Sequence, residues 1–454
     1  MASGTCQAAA AEAETGAETC GIIVNLRVDD DALAKWSLDS VVIYLNNKSK
    51  FNHKVYVPET PVKFGKGFKS FSFNVLPGNY EKRTMEMDYF LSRGGRTKVI
   101  HRSLPGAKMH EGYTRSSEDR LTPYELQPQP WECCTPEEAG YDSRKLEALR
   151  KELQDNYTTT SMLIAVGGKM IFSYGDITEP VRIASCRKSL MSMLYGKYVE
   201  NGTIDLDATL EALGIDDIGG LLPIERQATV RNLLTARSGV YHPAANDGAD
   251  QKFAPERGSV KPGELYLYNN WDFNCAGGVF EMLTGKNIYD AFMEDIAIPA
   301  GLEDYRVELQ HNTSITTPPA SRFLAYHFWL STRDMARIAQ LMLQKGKWNG
   351  KQIISEDWAA TTTCTFTPRA QMYPDKRLNK EFDYGYLWWI FCKDFKNYDP
   401  SIYGDGYTAT GVGGQYITVL PALNMVIAHK DKTQKTGKSA YYKLIAKVAA
   451  CRLL

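Results

Sequence analysis

Apolar and polar positions change their rhythm along the chain, and each rhythm predicts a different kind of element. Between Gly21 and Arg93 the period is two: GIIVNLRV and Val41 to Leu45 are rich in branched residues, and Phe71, Phe73 and Val75 alternate with polar neighbours, as do Met85, Met87 and Tyr89. Leu76-Pro77-Gly78-Asn79 supplies a turn between two such runs. The pattern predicts a small all-β sandwich over residues 21–95. Core packing accounts for its aromatic residues, with a ligand-lining groove as the other reading. Residues 96–131 are polar, with scattered Pro and Gly and no sustained period, which predicts a linker or strap.

Beyond residue 132 the rhythm shifts to mixed periods. Leu146, Leu149 and Leu153 stand at helical spacing in a stretch from Ser143. SMLIAVGGKMIFSYG reads as a hairpin turning at Gly167-Gly168. Ser185 to Val199 is a mixed apolar helix that stops near Asn201-Gly202, and Leu233 to Leu283 alternates loops with short helices. Strand-like pieces follow in YGYLWWIF, GGQYITVLP and NMVIAHK, and a closing helix runs from Ser439 to Leu453. The succession predicts an α+β fold over residues 132–454: an antiparallel sheet flanked by helices, plus a helical subdomain, preceded by the all-β sandwich.

Composition narrows the functional classes. At 454 residues two domains are expected, and 43% hydrophobic with 23% charged residues gives ample core. Lys+Arg and Asp+Glu are both 53, and no basic run marks a nucleic-acid or anionic-membrane surface. No apolar stretch reaches the length of a membrane span. Nine scattered cysteines, an odd count, point to a reducing compartment rather than a disulfide framework. Residues 1–20 are small and acidic, which predicts a disordered tail. They lack the basic start and long apolar run of a signal peptide, so a cytoplasmic location is expected.

Metal and nucleotide chemistry finds no support: there is no HExxH and no paired CxxC, and Gly437-Lys438-Ser439 lacks the earlier glycine of a P-loop. No GxSxG elbow is present either. No cofactor is expected. What remains is Ser185-Cys186-Arg187-Lys188. A serine at a helix start and a lysine one turn on share a face. Burial or neighbouring positive charge could lower the amine until it takes the serine proton, while the helix N-terminus favours a developing oxyanion. By itself the spacing is weak, since about one or two such occurrences arise by chance in a chain this long; a helix cap beside a solvated lysine is the plain alternative. The second element is Tyr268-Asn269-Asn270. A phenol beside an ammonium ionises more readily and can relay protons, and Asn270 can hold both the lysine and a substrate carbonyl. Tyr44-Leu45-Asn46 repeats the pattern within a strand and reads as structural.

In this order the motifs resemble the serine β-lactamase and penicillin-binding-protein superfamily, most of all its class C-type esterases and 6-aminohexanoate oligomer hydrolases. The resemblance rests on IASCRKSLMSMLYG, VRNLLTARSGVYH, PGELYLYNNWDFNCAGGVFEMLTGK, STRDMARIAQLML, YGYLWWIF and ATGVGGQYITVLP, and spans Cys134 to Leu454. It implies catalysis by Ser185, Lys188 and Tyr268 on a small-molecule ester or amide, through an acyl-enzyme. It implies that Ala409-Thr410-Gly411 stands where the superfamily carries K-T-G on a sheet edge. The Val412 amide would then join that of Ser185 in an oxyanion hole, with Gly411, Gly413 and Gly414 allowing close backbone approach. The literal Lys435-Thr436-Gly437 lies after the last strand and reads as a decoy. Ala409 cannot hold a substrate carboxylate, which disfavours β-lactams. Tyr241 and His242 are expected to be structural, Cys186 to pack off the reactive face, and one of Trp388 and Trp389 to line a pocket. The alternatives are an acyltransferase or thioesterase on the same acyl-enzyme, and a catalytically silent binding protein.

Overall fold

The computed structural model describes residues 126–453 except 247, 249, 316–318, 374–380 and 432–436, together with the strands between residues 20 and 125 and residues 35–36 and 94–95. The predicted tail therefore lies outside the described residues, as do the side chains of Phe71, Phe73 and Val75. In the N-terminal part, Cys20–Val28 pairs antiparallel with Gly67–Val75 and parallel with Arg115–Arg120. A second sheet runs Lys50–Tyr56, Ser37–Asn47, Met85–Arg93, Arg96–Leu104, with Val62–Lys63 also on Ser37–Asn47. Leu38, Tyr89 and Leu91 are fully or almost fully buried there.

The linker expected over residues 96–131 instead contains Arg96–Leu104 and Arg115–Arg120 as strands. Both lie at the edge of their sheets, and 96–99 are exposed. A charged edge strand blocks unwanted pairing, and that charge hides its period from a reading of apolar alternation. Gly94-Gly95, both at positive φ, close the hairpin between Arg93 and Arg96.

The rest of the chain is organised on a seven-stranded antiparallel sheet. In chain order its strands are β1 (Ser161–Val166), β2 (Lys169–Tyr174), β3 (Phe382–Tyr384), β4 (Trp389–Phe391), β5 (Tyr407–Gly411), β6 (Gln415–Leu420) and β7 (Met425–Lys430). The spatial order is β2-β1-β7-β6-β5-β4-β3. The first hairpin turns at Gly167-Gly168 as the sequence predicts. Helices α1 (Ser143–Asn156), α2 (Arg187–Glu200), α3 (Asn270–Thr284), α4 (Thr332–Leu343) and α5 (Lys438–Ala449) surround it. Helix α4 packs on β1, β6 and β7, and Tyr407 Oη donates to its Met342 carbonyl at 2.9 Å. On the opposite face of β6, Tyr416 stacks on Tyr441 of α5 at 3.7 Å and 4°, while Thr418 and Tyr441 share a 2.7 Å hydrogen bond. Between β2 and β3 the chain builds the predicted helical subdomain around α2, which is buried on every side. No helix among the described residues is long and apolar enough to cross a membrane.

The Tyr416–Tyr441 stack ties the closing helix to the sheet. Tyr441→Ala should cost about 3–5 kcal/mol, the range for removing a large buried aromatic, and lower the denaturant midpoint followed by tryptophan fluorescence. An unchanged midpoint would show that α5 is held elsewhere.

Candidate active site

The chain reaches Ser185 through a short strand, Val181–Arg182, and a tight 3₁₀ turn, Ala184–Cys186, which feeds directly into α2. Ala184 has φ of +50°, a conformation that L-residues rarely adopt and that costs on the order of 1 kcal/mol. The turn lifts Ser185 out of the sheet-to-helix junction, half-buried at a cavity wall. One helical turn on, Lys188 is 2% exposed. Its Nζ lies 2.9 Å from Ser185 Oγ, 2.7 Å from Tyr268 Oη and 2.9 Å from Asn270 Oδ1. Tyr268 precedes α3, which Asn269 caps by accepting from the Trp271 N–H at 3.1 Å. Asn270 opens that helix. Its Nδ2 donates to the Asn246 carbonyl at 2.6 Å, leaving one amide N–H for a substrate carbonyl.

The electrostatics assign the protons. Burial first, and the Arg187 guanidinium second, hold the Lys188 amine well below the ordinary lysine value. A neutral amine has two N–H groups and one lone pair. Asn270 Oδ1 can only accept, so it takes one N–H, and the lone pair must receive a hydroxyl proton from Ser185 or Tyr268. The phenol differs from expectation: burial pushes Tyr268 up, outweighing the lowering by Ser185 and Arg187, so it stays protonated. Aromatic walls complete this dry setting, with Trp389 stacked on Tyr268 at 5.4 Å and Phe273 at 4.8 Å.

The cavity in front of Ser185 holds about 540 Å³, and Tyr268, Asn270, Gly411, Val412 and Gly413 border it. All the sequence-predicted site residues thus converge, Lys188 standing behind the wall. Thr410 also faces the cavity, whereas Ala409 is wholly buried. Trp389 lines the cavity and Trp388 is in the core. Cys186 is wholly buried, donates to the Gln415 carbonyl at 3.3 Å and has its thiol pushed up by burial. His242 directs both ring nitrogens at backbone carbonyls of Pro243 and Ile218, 2.8 and 2.7 Å away, a structural placement. Lys435 and Thr436 lie outside the described residues, but Gly437 and Lys438 border the cavity, and Lys438 Nζ sits 3.8 Å over the Trp389 ring. The segment read as a decoy therefore brings a cation to the rim, through an α5 start that only the tertiary fold reveals. Sequence reasoning also missed Arg187, Asn246, Asn274 and His327. Arg187 was inside the motif, read there only as a spacer. A larger cavity of 720 Å³ near Gln129, Gly168, Arg337 and Trp348 has no serine, cysteine or histidine in its wall.

A family model described as Beta-lactamase matches residues 146–442, more than half of the chain. Among curated proteins, monacolin J acid methylbutanoyltransferase of Aspergillus terreus is 29% identical over 165 residues, 30% of this chain and 40% of its own length. ML-236A carboxylate methylbutanoyltransferase of Penicillium citrinum is 26% identical, over 30% of this chain and 39% of its own. The chain thus spans about two fifths of the length of these relatives. Among solved structures, a Bacillus anthracis protein provisionally assigned as a 6-aminohexanoate-dimer hydrolase superposes with a TM-score of 0.53 at 18% identity, covering 71% of this chain and 88% of that one. A penicillin-binding-protein homologue of Caulobacter crescentus gives 0.51 at 14%, covering 71% and 99%. These two share the fold.

Sheet and nucleophile meet at Gly411, where an added Cβ would lie 2.4 Å from the Ile183 carbonyl, two residues before Ser185. Gly411→Ala should push β5 away from the serine turn. Misplacement on the order of 1 Å costs about 100-fold, so labelling of Ser185 by a fluorophosphonate should slow to that degree; wild-type labelling would show the contact to be compliant.

Proposed function

From the premise that the chain belongs to the Beta-lactamase family, whose members are generally serine hydrolases or acyltransferases, we propose that it cleaves an ester or amide of a small molecule through an acyl-enzyme on Ser185. One observation carries the reading: a single buried amine, Lys188 Nζ, lies within hydrogen-bond distance of the Ser185 hydroxyl, the Tyr268 phenol and Asn270 at once. In this mechanism Ser185 Oγ bonds to the carbonyl carbon as its proton passes to Lys188 Nζ. The amides of Ser185 and Val412 hold the tetrahedral oxyanion. Tyr268 donates its proton to the departing alkoxide or amine and is reprotonated from Lys188. Water, deprotonated by the same amine, then adds to the acyl carbon; the bond to Ser185 Oγ breaks, the Lys188 proton returns to that oxygen, and the acid leaves.

A second reading keeps the acyl-enzyme but gives the acyl group to an alcohol or amine. It is favoured by the methylbutanoyltransferases among the relatives. Product analysis with candidate alcohols or amines present separates the two, since only transfer yields a new ester or amide.

Ser185→Ala should abolish turnover of a short-chain p-nitrophenyl ester while the melting curve stays unchanged; retained turnover sinks the assignment. The pH dependence has a definite sign. Only the neutral amine accepts the serine proton, so acylation should fall tenfold per pH unit below the Lys188 pKa. Because burial depresses that pKa, the plateau should begin well below pH 10.5, and a rate still rising at pH 10 would contradict the mechanism.

A further inference from the structure

Beside the Lys188 amine, α2 buries a guanidinium. Arg187 is 1% exposed, and a guanidinium stays protonated at any working pH. Among the described residues it makes no ion pair. Its Nη2 donates to Asn274 Oδ1 at 2.7 Å, its guanidinium lies 4.2 Å over the Tyr326 ring, and its Nη1 has no hydrogen-bond partner. Asn274 in turn donates to Asn246 Oδ1 at 2.9 Å, and Asn246 accepts from Asn270, which holds Lys188. Neutral amides therefore connect the guanidinium to the Lys188 amine, and among the described residues no carboxylate hydrogen-bonds to either. Burying an unpaired cation is costly, and Tyr326 and one amide oxygen offset that cost here.

We propose that Arg187 is a positioning residue of this centre, a permanent buried charge, held by Asn274, that disfavours the ammonium form of Lys188 and so keeps the amine ready for the serine proton. The proposal rests on the Ser185–Lys188 reading above. The groups that surround Lys188 leave Arg187 as its dominant charged neighbour. In the turn ahead of α2 they are Ser185 and Cys186, the latter a thiol that burial keeps protonated. Across from them are Tyr268, protonated, and the amide of Asn270. Tyr326, pushed up to about 12, and His327, held well below its ordinary value by burial first, come from the strand Ala325–His327 and are both neutral near pH 7. Asp250 borders the same cavity but does not figure in the shift of Lys188.

The test follows the acid limb of acylation by a p-nitrophenyl ester in the full-length protein, with melting curves for every variant. Arg187→Met removes the charge and should move the limb up by about one pH unit or more, with acylation on the limb falling about tenfold. Asn274→Asp keeps the arginine but gives it a counter-ion at the 2.7 Å contact, and should shift the limb in the same direction even if Arg187→Met fails to fold. A limb that stays in place in Asn274→Asp and in folded Arg187→Met overturns the proposal. Failure of the underlying reading looks different: Lys188→Met would then acylate at the wild-type rate.

Discussion

The removal of the Lys188 amine from water is the constraint on which the site depends. A lysine on a solvated helix face would carry a proton near neutrality and would be unable to accept one from serine. Here α2 is enclosed by the helices of its subdomain and by the sheet, so Lys188 is 2% exposed one turn from a half-buried serine. Desolvation penalises the ammonium and leaves a base. The three oxygens around Nζ then fix where its lone pair points, because one of them, Asn270 Oδ1, cannot donate.

Helix α3 brings the other pieces to that amine. Asn269 caps it, Asn270 and Asn274 stand one turn apart on one face, and buried Asp272 accepts from Ser238 Oγ at 2.6 Å, anchoring the loop before Tyr241. Tyr268 emerges directly ahead of the cap, so the direction in which α3 enters determines where the phenol lies. From the other side β5, set between β4 and β6 in the sheet, closes in at Gly411, whose missing side chain lets it approach the turn carrying Ser185. The start of α3, the turn with Ser185 and the end of β5 come from widely separated stretches and meet around one cavity.

What a reader could see in the chain follows from what each interaction needs. The first hairpin, the later strands and α1 are legible because a buried face imposes a period, and Ser185, Lys188, Tyr268 and Asn270 are legible because they fall into motifs with an order. Arg96–Leu104 and Arg115–Arg120 were not, since an edge strand needs charge more than alternation. Asn246 and Asn274 act through contacts across dozens of residues that no local spacing encodes. Lys438 follows a literal Lys-Thr-Gly in the wrong place, and only the packing of α5 brings it to the rim. The phenol was misjudged because a sequence shows which charges adjoin and not how dry their surroundings are.

That dryness acts on the two titratable partners with opposite effect and thereby divides their labour. Burial disfavours charge on both, which drives the lysine toward the amine and the tyrosine toward the phenol. Two groups 2.7 Å apart thus rest as one base and one acid, the arrangement that the proposed reaction requires, since it must first remove a proton from serine and then supply one to a leaving group. Had the phenol ionised beside an ammonium, the pair would hold the same single proton with the roles exchanged, at the cost of two charges in a nonpolar pocket. The stacking of Trp389 on Tyr268 adds to that cost by excluding water from the phenol's face. The neutral arrangement wins, and in the proposed mechanism the path that follows from it runs from serine to amine, and from phenol to leaving group.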